Sequence, residues 1–253
     1  MDVLSPVRTA SRVVGIAAWT ASVVYAHRAA ALVRRDLDSP SGKAPFIAAW
    51  SRGVFPMFGI ELAIEGTPPD ERGPFLVVAN HRSPLDILVC VNLVGGVVLS
   101  HHGVASLPVF GTAAKAADTI FVDRTDSRSG ARAIREMRAR LREGRNVIVF
   151  PEGTTYRGDE VRAFKRGAFA AAKGLDVKVL PIGLAYEPGC EYVGESFGRH
   201  LVRISARKRT PVWVAIGAPM PLPANEREEE GVRAALQALV DRAAEARDLR
   251  AFR

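Results

Sequence analysis

Pro74 to Asp86 reads PFLVVANHRSPLD, and the fold follows from how this stretch divides. Pro74 to Ala79 is a continuous apolar run, too short for a stable helix and without polar alternation. Such a run suits a strand buried on both faces, the kind found in sheets with helices packed on each side. The chemistry then changes abruptly. Ser83 is a good helix N-cap, Pro84 suits the first helical position, and Asp86 falls third. The stretch therefore predicts a strand, a turn and a helix, with His81 in the turn.

The same alternation extends outward. Upstream, Glu61 to Glu65 reads as a short strand. Downstream the expected elements are a helix over Pro84 to Leu93, strands at Val97 to Ser100 and Thr119 to Val122, and an amphipathic helix over Ser127 to Glu143. In that helix Ile134, Met137 and Leu141 recur at helical spacing opposite many arginines. Then come a strand at Asn146 to Phe150, a helix over Lys165 to Lys173, strands at Val177 to Ala185 and Pro211 to Ile216, and a last helix over Glu226 to Leu249. Strands alternating with helices predict an α/β domain with a mixed, largely parallel sheet flanked by helices.

The N-terminus is different. Val13 to Ala26 is apolar and uncharged, interrupted by His27 and Arg28, and flanked by Arg8, Arg12, Arg34 and Arg35. After the turn formers Asp38 to Lys43, Pro45 to Gly59 forms a second apolar segment. Two such helices joined by a turn predict a helical hairpin at a membrane, spanning it or lying in its interface. The expected organisation is residues 1–58 as a membrane-associated helical region and 59–253 as the α/β domain. A buried core helix is the alternative for the first segment.

Within the α/β part, chemistry gathers at strand ends, where open sheets of this class bind ligands. His81 and Asp86 would point roughly 140° apart on one continuous helix. They meet if His81 lies in the turn and Asp86 in the first helical turn. A carboxylate that orients an imidazole makes it a competent general base. A plain capping box from Ser83 to Asp86 is the alternative; it explains those two residues and not His81. Phe150 to Thr155 (FPEGTT) follows another buried strand: Gly153 lets the backbone approach a ligand, and Thr154 and Thr155 offer hydroxyls to an oxyanion. Glu152 is expected to accept a hydrogen bond from a donor in the site or from a substrate hydroxyl. Arg124 ends a further strand, placed to grip a phosphate or to pair with Asp123 or Asp126. Lys165 and Arg166 open the expected helix as phosphate-binding cations or as a solvated helix start.

These blocks resemble the lysophosphatidic acid acyltransferase family, the glycerolipid acyltransferases with an H-x4-D motif. NHRSPLD, IFVDR, FPEGT and VLPIGLAY stand in the family's order, and the similarity runs from Trp50 to Pro219. The resemblance implies an acyltransferase with His81 as base, Asp86 as its partner, and Arg124, Glu152 and Gly153 at the glycerol phosphate end. It implies acyl-CoA or acyl carrier protein as donor, a lysophospholipid as acceptor, no metal and no bound cofactor, and a place on the cytoplasmic face of the cell membrane. There are departures. His101 stands where the family often has lysine, seven residues before Pro108, and Ala117-Asp118 where a glycine is common. Tyr192 to His200 and Arg203 to Arg209 resemble bacterial relatives that acylate lyso-ornithine lipids. These departures bear on the acceptor more than on the reaction.

A formal net charge of +8 also fits a non-catalytic protein that binds anionic membrane or nucleic acid. That alternative leaves the placement of His81 and Asp86 unexplained, so nucleic acid is not an expected partner. The cysteines, Cys90 and Cys190, lack zinc-site spacing.

Overall fold

The computed structural model describes residues 5–70, 73–123, 125–165 and 167–251. Two helices open the chain, α1 (Ser5–Val33) and α2 (Pro40–Phe58), joined by a short 3-10 turn at Arg35–Asp38. They are followed by β1 (Ile60–Glu65), β2 (Phe75–Ala79), α3 (Leu85–Val94), β3 (Val97–His101), α4 (Phe110–Ala116), β4 (Ile120–Val122), α5 (Ser127–Arg142) and β5 (Val147–Val149). The chain closes with β6 (Lys178–Tyr186), α6 (Phe197–Ala206), β7 (Thr210–Ile216) and α7 (Glu226–Ala251).

The strands form one seven-stranded sheet in the order β1-β7-β6-β2-β5-β3-β4. Every pairing is parallel except β6 with β7. β2 lies at the centre with all its residues buried, as its unbroken apolar run requires. Its pleat divides the core. Phe75, Val77 and Ala79 pack with Ile16, Val54, Phe58 and Leu88 on one face. Leu76 and Val78 pack with Met137, Leu141, Leu236 and Val240 on the other. α1, α2, α3 and α6 therefore cover one face, and α5 and α7 the opposite one.

The N-terminal helices differ from expectation in extent, and α1 also contributes to the core. α1 is one continuous helix through His27 and Arg28, because His27 Nε2 meets the Leu37 carbonyl at 3.0 Å and its ring edge packs on Phe46. α2 begins at Pro40 rather than Pro45, since Ser39 caps it by accepting the Gly42 N–H at 3.1 Å. The change from helices to strands falls at Gly59, whose left-handed φ of 60° ends α2. α1 is long and apolar enough to cross a membrane by length and composition. It is also partly a core element: Ile16 and Thr20 are buried, and the Trp50 indole donates to the Thr20 hydroxyl at 2.9 Å.

Lys165 to Lys173 does not form the expected helix. Gly167 adopts φ 88°, and successive i to i−3 bonds, Ala170 to Gly167 and Ala172 to Phe169, make a chain of turns instead. α4 and α6 were not expected. Both are short, and α6 lies in a stretch rich in arginine and glycine.

Candidate active site

The site forms where β2 ends. Asn80 is fully buried, and its side chain continues the sheet by bonding both ways to the Leu184 backbone on β6, at 2.8 Å each. The backbone is thereby released from the ladder and turns, presenting His81. His81 Nδ1 lies 2.7 Å from Asp86 Oδ2. Asp86 accepts only, so the proton sits on Nδ1 and the Nε2 lone pair is left for chemistry. The ring stacks on Phe150, with centroids 4.2 Å apart and planes 18° apart, which fixes its plane.

Asp86 is fully buried. An isolated carboxylate there would cost several kcal/mol, and surrounding donors offset this. The Arg82 and Ser83 N–H groups donate to Oδ2 at 2.6 and 2.8 Å, and the Tyr186 hydroxyl donates to Oδ1 at 2.6 Å. Burial, then the charge of Asp86, push the Tyr186 phenol well above its ordinary range, so it remains a donor. The capping interaction and the dyad therefore coexist. Asp86 closes the start of α3 through the Ser83 N–H and holds His81 with the same oxygen. The assigned helix begins at Leu85, after a helical Pro84, one residue later than expected.

The N–H groups at this turn are all engaged. His81 N donates to Glu152, Arg82 N and Ser83 N to Asp86, Leu85 N to Ser83 Oγ and Asp86 N to the Ser83 carbonyl. None of these is left to stabilise an oxyanion.

Glu152 is likewise fully buried. It accepts from the His81 N–H at 2.6 Å, from Arg82 Nη1 at 2.9 and 3.1 Å, and from the Arg162 N–H at 2.9 Å. The expected hydrogen bond from a donor in the site is present. A substrate hydroxyl finds no room there, because protein donors surround the carboxylate. Glu152 acts on the backbone that carries His81. Gly153 adopts φ 80°, and a Cβ there would sit 2.8 Å from Lys165 Cγ, so only glycine suits the turn. Thr154 is exposed and lines the cavity, while the Thr155 hydroxyl donates to the Tyr192 carbonyl. Lys165 is exposed and its stem lies over Gly153. Arg124 and Arg166 lie outside the described residues.

His81 opens onto a cavity of about 700 Å³. Its wall is mainly apolar, with Ile47, Trp50, Leu88, Val98, Leu107 and Phe110 among the lining residues. The cavity lies between the sheet and the helices α2, α3, α4 and α6, and its outer rim includes His101, Thr154 and Tyr192. Sequence reasoning missed several residues that support the site. Tyr186 stands at the end of a quoted block, yet its contact with Asp86 spans 100 residues. Arg82 sits inside the central motif as the buried partner of Glu152. His200 lines the cavity and meets Ser83 Oγ at 3.2 Å, with Glu195 and Arg203 at its other ring nitrogen.

Known proteins resemble this chain in sequence and in fold. The Acyltransferase family model matches residues 61–185. A lyso-ornithine lipid O-acyltransferase of Pseudomonas aeruginosa is 31% identical over 188 residues, which cover 71% of this chain and 71% of that protein. A 1-acyl-sn-glycerol-3-phosphate acyltransferase of Neisseria meningitidis serogroup B is 30% identical over 151 residues, 60% of this chain and 59% of that protein. A lyso-ornithine lipid O-acyltransferase of Rhizobium meliloti is 32% identical over 144 residues, and there the chain spans about half, 49%, of the relative's length. The crystal structure of the 1-acyl-sn-glycerophosphate (LPA) acyltransferase PlsC from Thermotoga maritima has the same fold. Its TM-score is 0.70 at 23% identity, covering 97% of this chain and 95% of that one.

Proposed function

Because the chain belongs to the lysophosphatidic acid acyltransferase family of acyltransferases, we propose that it transfers a fatty acyl chain from acyl-CoA or acyl carrier protein to the free hydroxyl of 1-acylglycerol 3-phosphate, giving phosphatidic acid. The observation that carries this reading is the 2.7 Å contact of His81 with a buried Asp86, at the mouth of a 700 Å³ apolar cavity. The cavity is of the size that holds small-molecule ligands, and its wall suits an acyl chain.

In this reading His81 Nε2 removes the proton of the acceptor hydroxyl as its oxygen attacks the thioester carbonyl. The carbon–sulfur bond breaks, and the imidazolium returns the proton to the leaving thiolate. Asp86 holds the reactive tautomer and stabilises the imidazolium. Base catalysis of this kind is worth about 10² to 10⁴ in rate. The chemistry needs neither a metal nor a bound cofactor. Arg124 is the proposed grip on the acceptor phosphate, with Thr154, Lys165 and Arg166 as its proposed helpers. Arg124→Ala should then raise the acceptor KM while leaving the donor KM in place, a loss of about 1.5 to 3 kcal/mol for a charge-assisted bond. A raised donor KM with an unchanged acceptor KM would reassign it. The enzyme's proposed place is the cytoplasmic face of the cell membrane, held there by α1.

A second acceptor, lyso-ornithine lipid, is favoured by the Pseudomonas relative and by the departure at His101, on the cavity wall, from the lysine common in the family. His101 stands there, and His102 lies beside Asp123 at 3.8 Å. An acceptor panel decides between them. The purified protein is given a labelled acyl thioester with each lysolipid, and the products are weighed. Phosphatidic acid as the main product supports the first reading, and acylated ornithine lipid the second. No thioester consumption with any acceptor would point to the non-catalytic alternative.

A further inference from the structure

α5 carries Arg128, Arg132, Arg135, Arg138, Arg140 and Arg142. At 100° per residue, Arg128, Arg132, Arg135 and Arg142 fall within an arc of about 80°. The arc lies opposite the face that buries Ser129, Ala133, Met137 and Leu141. All four arginines are exposed. Their neighbours Arg138 and Arg140 are engaged locally, with the Ala171 and Lys173 carbonyls and with Glu143. Arg132 leans loosely on Glu136 at 3.7 Å, both side chains being well exposed. Among the described residues, no ion pair involves Arg128, Arg135 or Arg142. The result is a convex, cationic ridge about 21 Å long, from 14 steps of 1.5 Å.

Its position narrows the occupant. β2, β5, β3 and β4 are parallel, so the C-terminal end of β4 lies on the edge of the sheet where His81 sits. α5 starts there, at Ser127, three strands across from β2 and so about 14 Å to the side at ~4.8 Å per strand, and the ridge runs away from that end of the sheet. The residues that α5 buries belong to the core layer of α7. α1 and α2 belong to the opposite layer. A bilayer seated on α1 would not also reach α5. A small anionic ligand needs a concave site with convergent donors, and a ridge offers neither.

We propose that the α5 ridge docks an acidic acyl carrier protein, whose thioester-bearing arm then reaches His81 from the adjoining edge of the sheet. This rests on the acyl transfer proposed above and deepens it by naming the donor. Complementary charge on an exposed ridge supplies orientation and encounter rate more than tight binding. The contact should therefore be transient and sensitive to salt.

The test uses the full chain and the variant R128Q/R132Q/R135Q/R142Q, since glutamine keeps helix propensity and removes charge. Direct binding is read by titrating a fluorescein-labelled bacterial acyl carrier protein. Transfer is read with the acyl group on that carrier and, separately, on CoA. The wild type should bind the carrier, and the variant should bind about tenfold more weakly. kcat/KM should fall by a similar factor with the carrier donor and stay within about twofold with the CoA donor. Rising salt should lower the carrier rate of the wild type more than its CoA rate. Equal losses with both donors, or unchanged carrier binding in the variant, would overturn the proposal. So would a variant that keeps carrier transfer but no longer sediments with anionic vesicles, which would make the ridge a lipid surface. A wild type inactive with both donors removes the proposed function, and carrier binding still decides the ridge by itself.

Discussion

At the scale of single residues, each group around His81 has a distinct duty, and substitutions should separate them. His81→Ala should abolish acyl transfer with the fold intact, because the ring is stacked at the cavity and supports no other contact network. Retention of transfer within about tenfold of wild type would sink the general-base role. Asp86→Asn should also stop turnover, since an amide cannot stabilise the imidazolium. Glu152 divides two roles cleanly. If it served the substrate, its loss would raise the acceptor KM with little effect on stability. The geometry gives the reverse. Glu152→Gln leaves the buried Arg82 guanidinium uncompensated, so unfolding free energy should drop by about 3 to 5 kcal/mol. kcat should drop as the His81 backbone shifts, with acceptor KM near its wild-type value; chemical denaturation and a KM–kcat split check this. The dyad was legible in the sequence because its partners are five residues apart and capping signals place the turn. Tyr186 and the Arg82–Glu152 pair were not, since only folding brings them together and nothing local marks a buried donor.

At the scale of elements, the strands were legible and two helices were not, for one physical reason. β2, β5 and β6 are buried on both faces and must be apolar throughout, so each announces itself. α6 buries only His200, Ile204 and Ser205, and a polar residue in the core hides its periodicity. Yet α6 matters to the site. His200 is buried between Ser83, Glu195 and Arg203, beside the Tyr192 ring and within the field of Asp86. Burial first, and Arg203 next, lower its pKa below the ordinary 6.5. The unfolded chain therefore takes up a proton near pH 6.5 while the folded chain resists it. Folding stability from this group is fully present above that pH and is lost as pH falls toward the folded pKa. Ordinary carboxylates titrate lower, near 4, so histidines dominate the window just below pH 6.5, and a His200 variant separates this one from the other four. The melting temperature should decline between pH 7 and 5 in the wild type and do so less in His200→Gln. Parallel curves would show that His200 does not set the slope.

At the scale of the whole molecule, the two faces of the sheet are differently clothed, and this bears on how the protein meets a membrane. In the sequence, positive flanks predict that α1 is drawn to anionic lipid. The structure gives three of those flanks other partners. Arg8 donates to the Ala206 carbonyl at 2.6 Å, and Arg12 donates to the carbonyls of Ser205, Arg207 and Lys208, closing the end of α6. Arg34 pairs with Asp36 at 2.7 Å. What α1 leaves outward is mainly apolar, with Arg28 as its exposed charge: Val14 and Tyr25 are 67% exposed, and Leu32 is 86% exposed. Attachment should therefore depend on apolar burial more than on charge, and salt should screen it little. Removing residues before Lys43 would not test this cleanly, because it would also empty the places of Ile16 and Thr20 and uncap α6. Replacing Val14, Tyr25 and Leu32 with serine leaves those contacts alone. The full-length protein should sediment with vesicles of either neutral or anionic lipid and stay bound in high salt, and the triple variant should remain in the supernatant with its melting temperature within a few degrees of wild type. Release of the wild type by salt would make the attachment electrostatic, and sedimentation of the triple variant would move it to another surface.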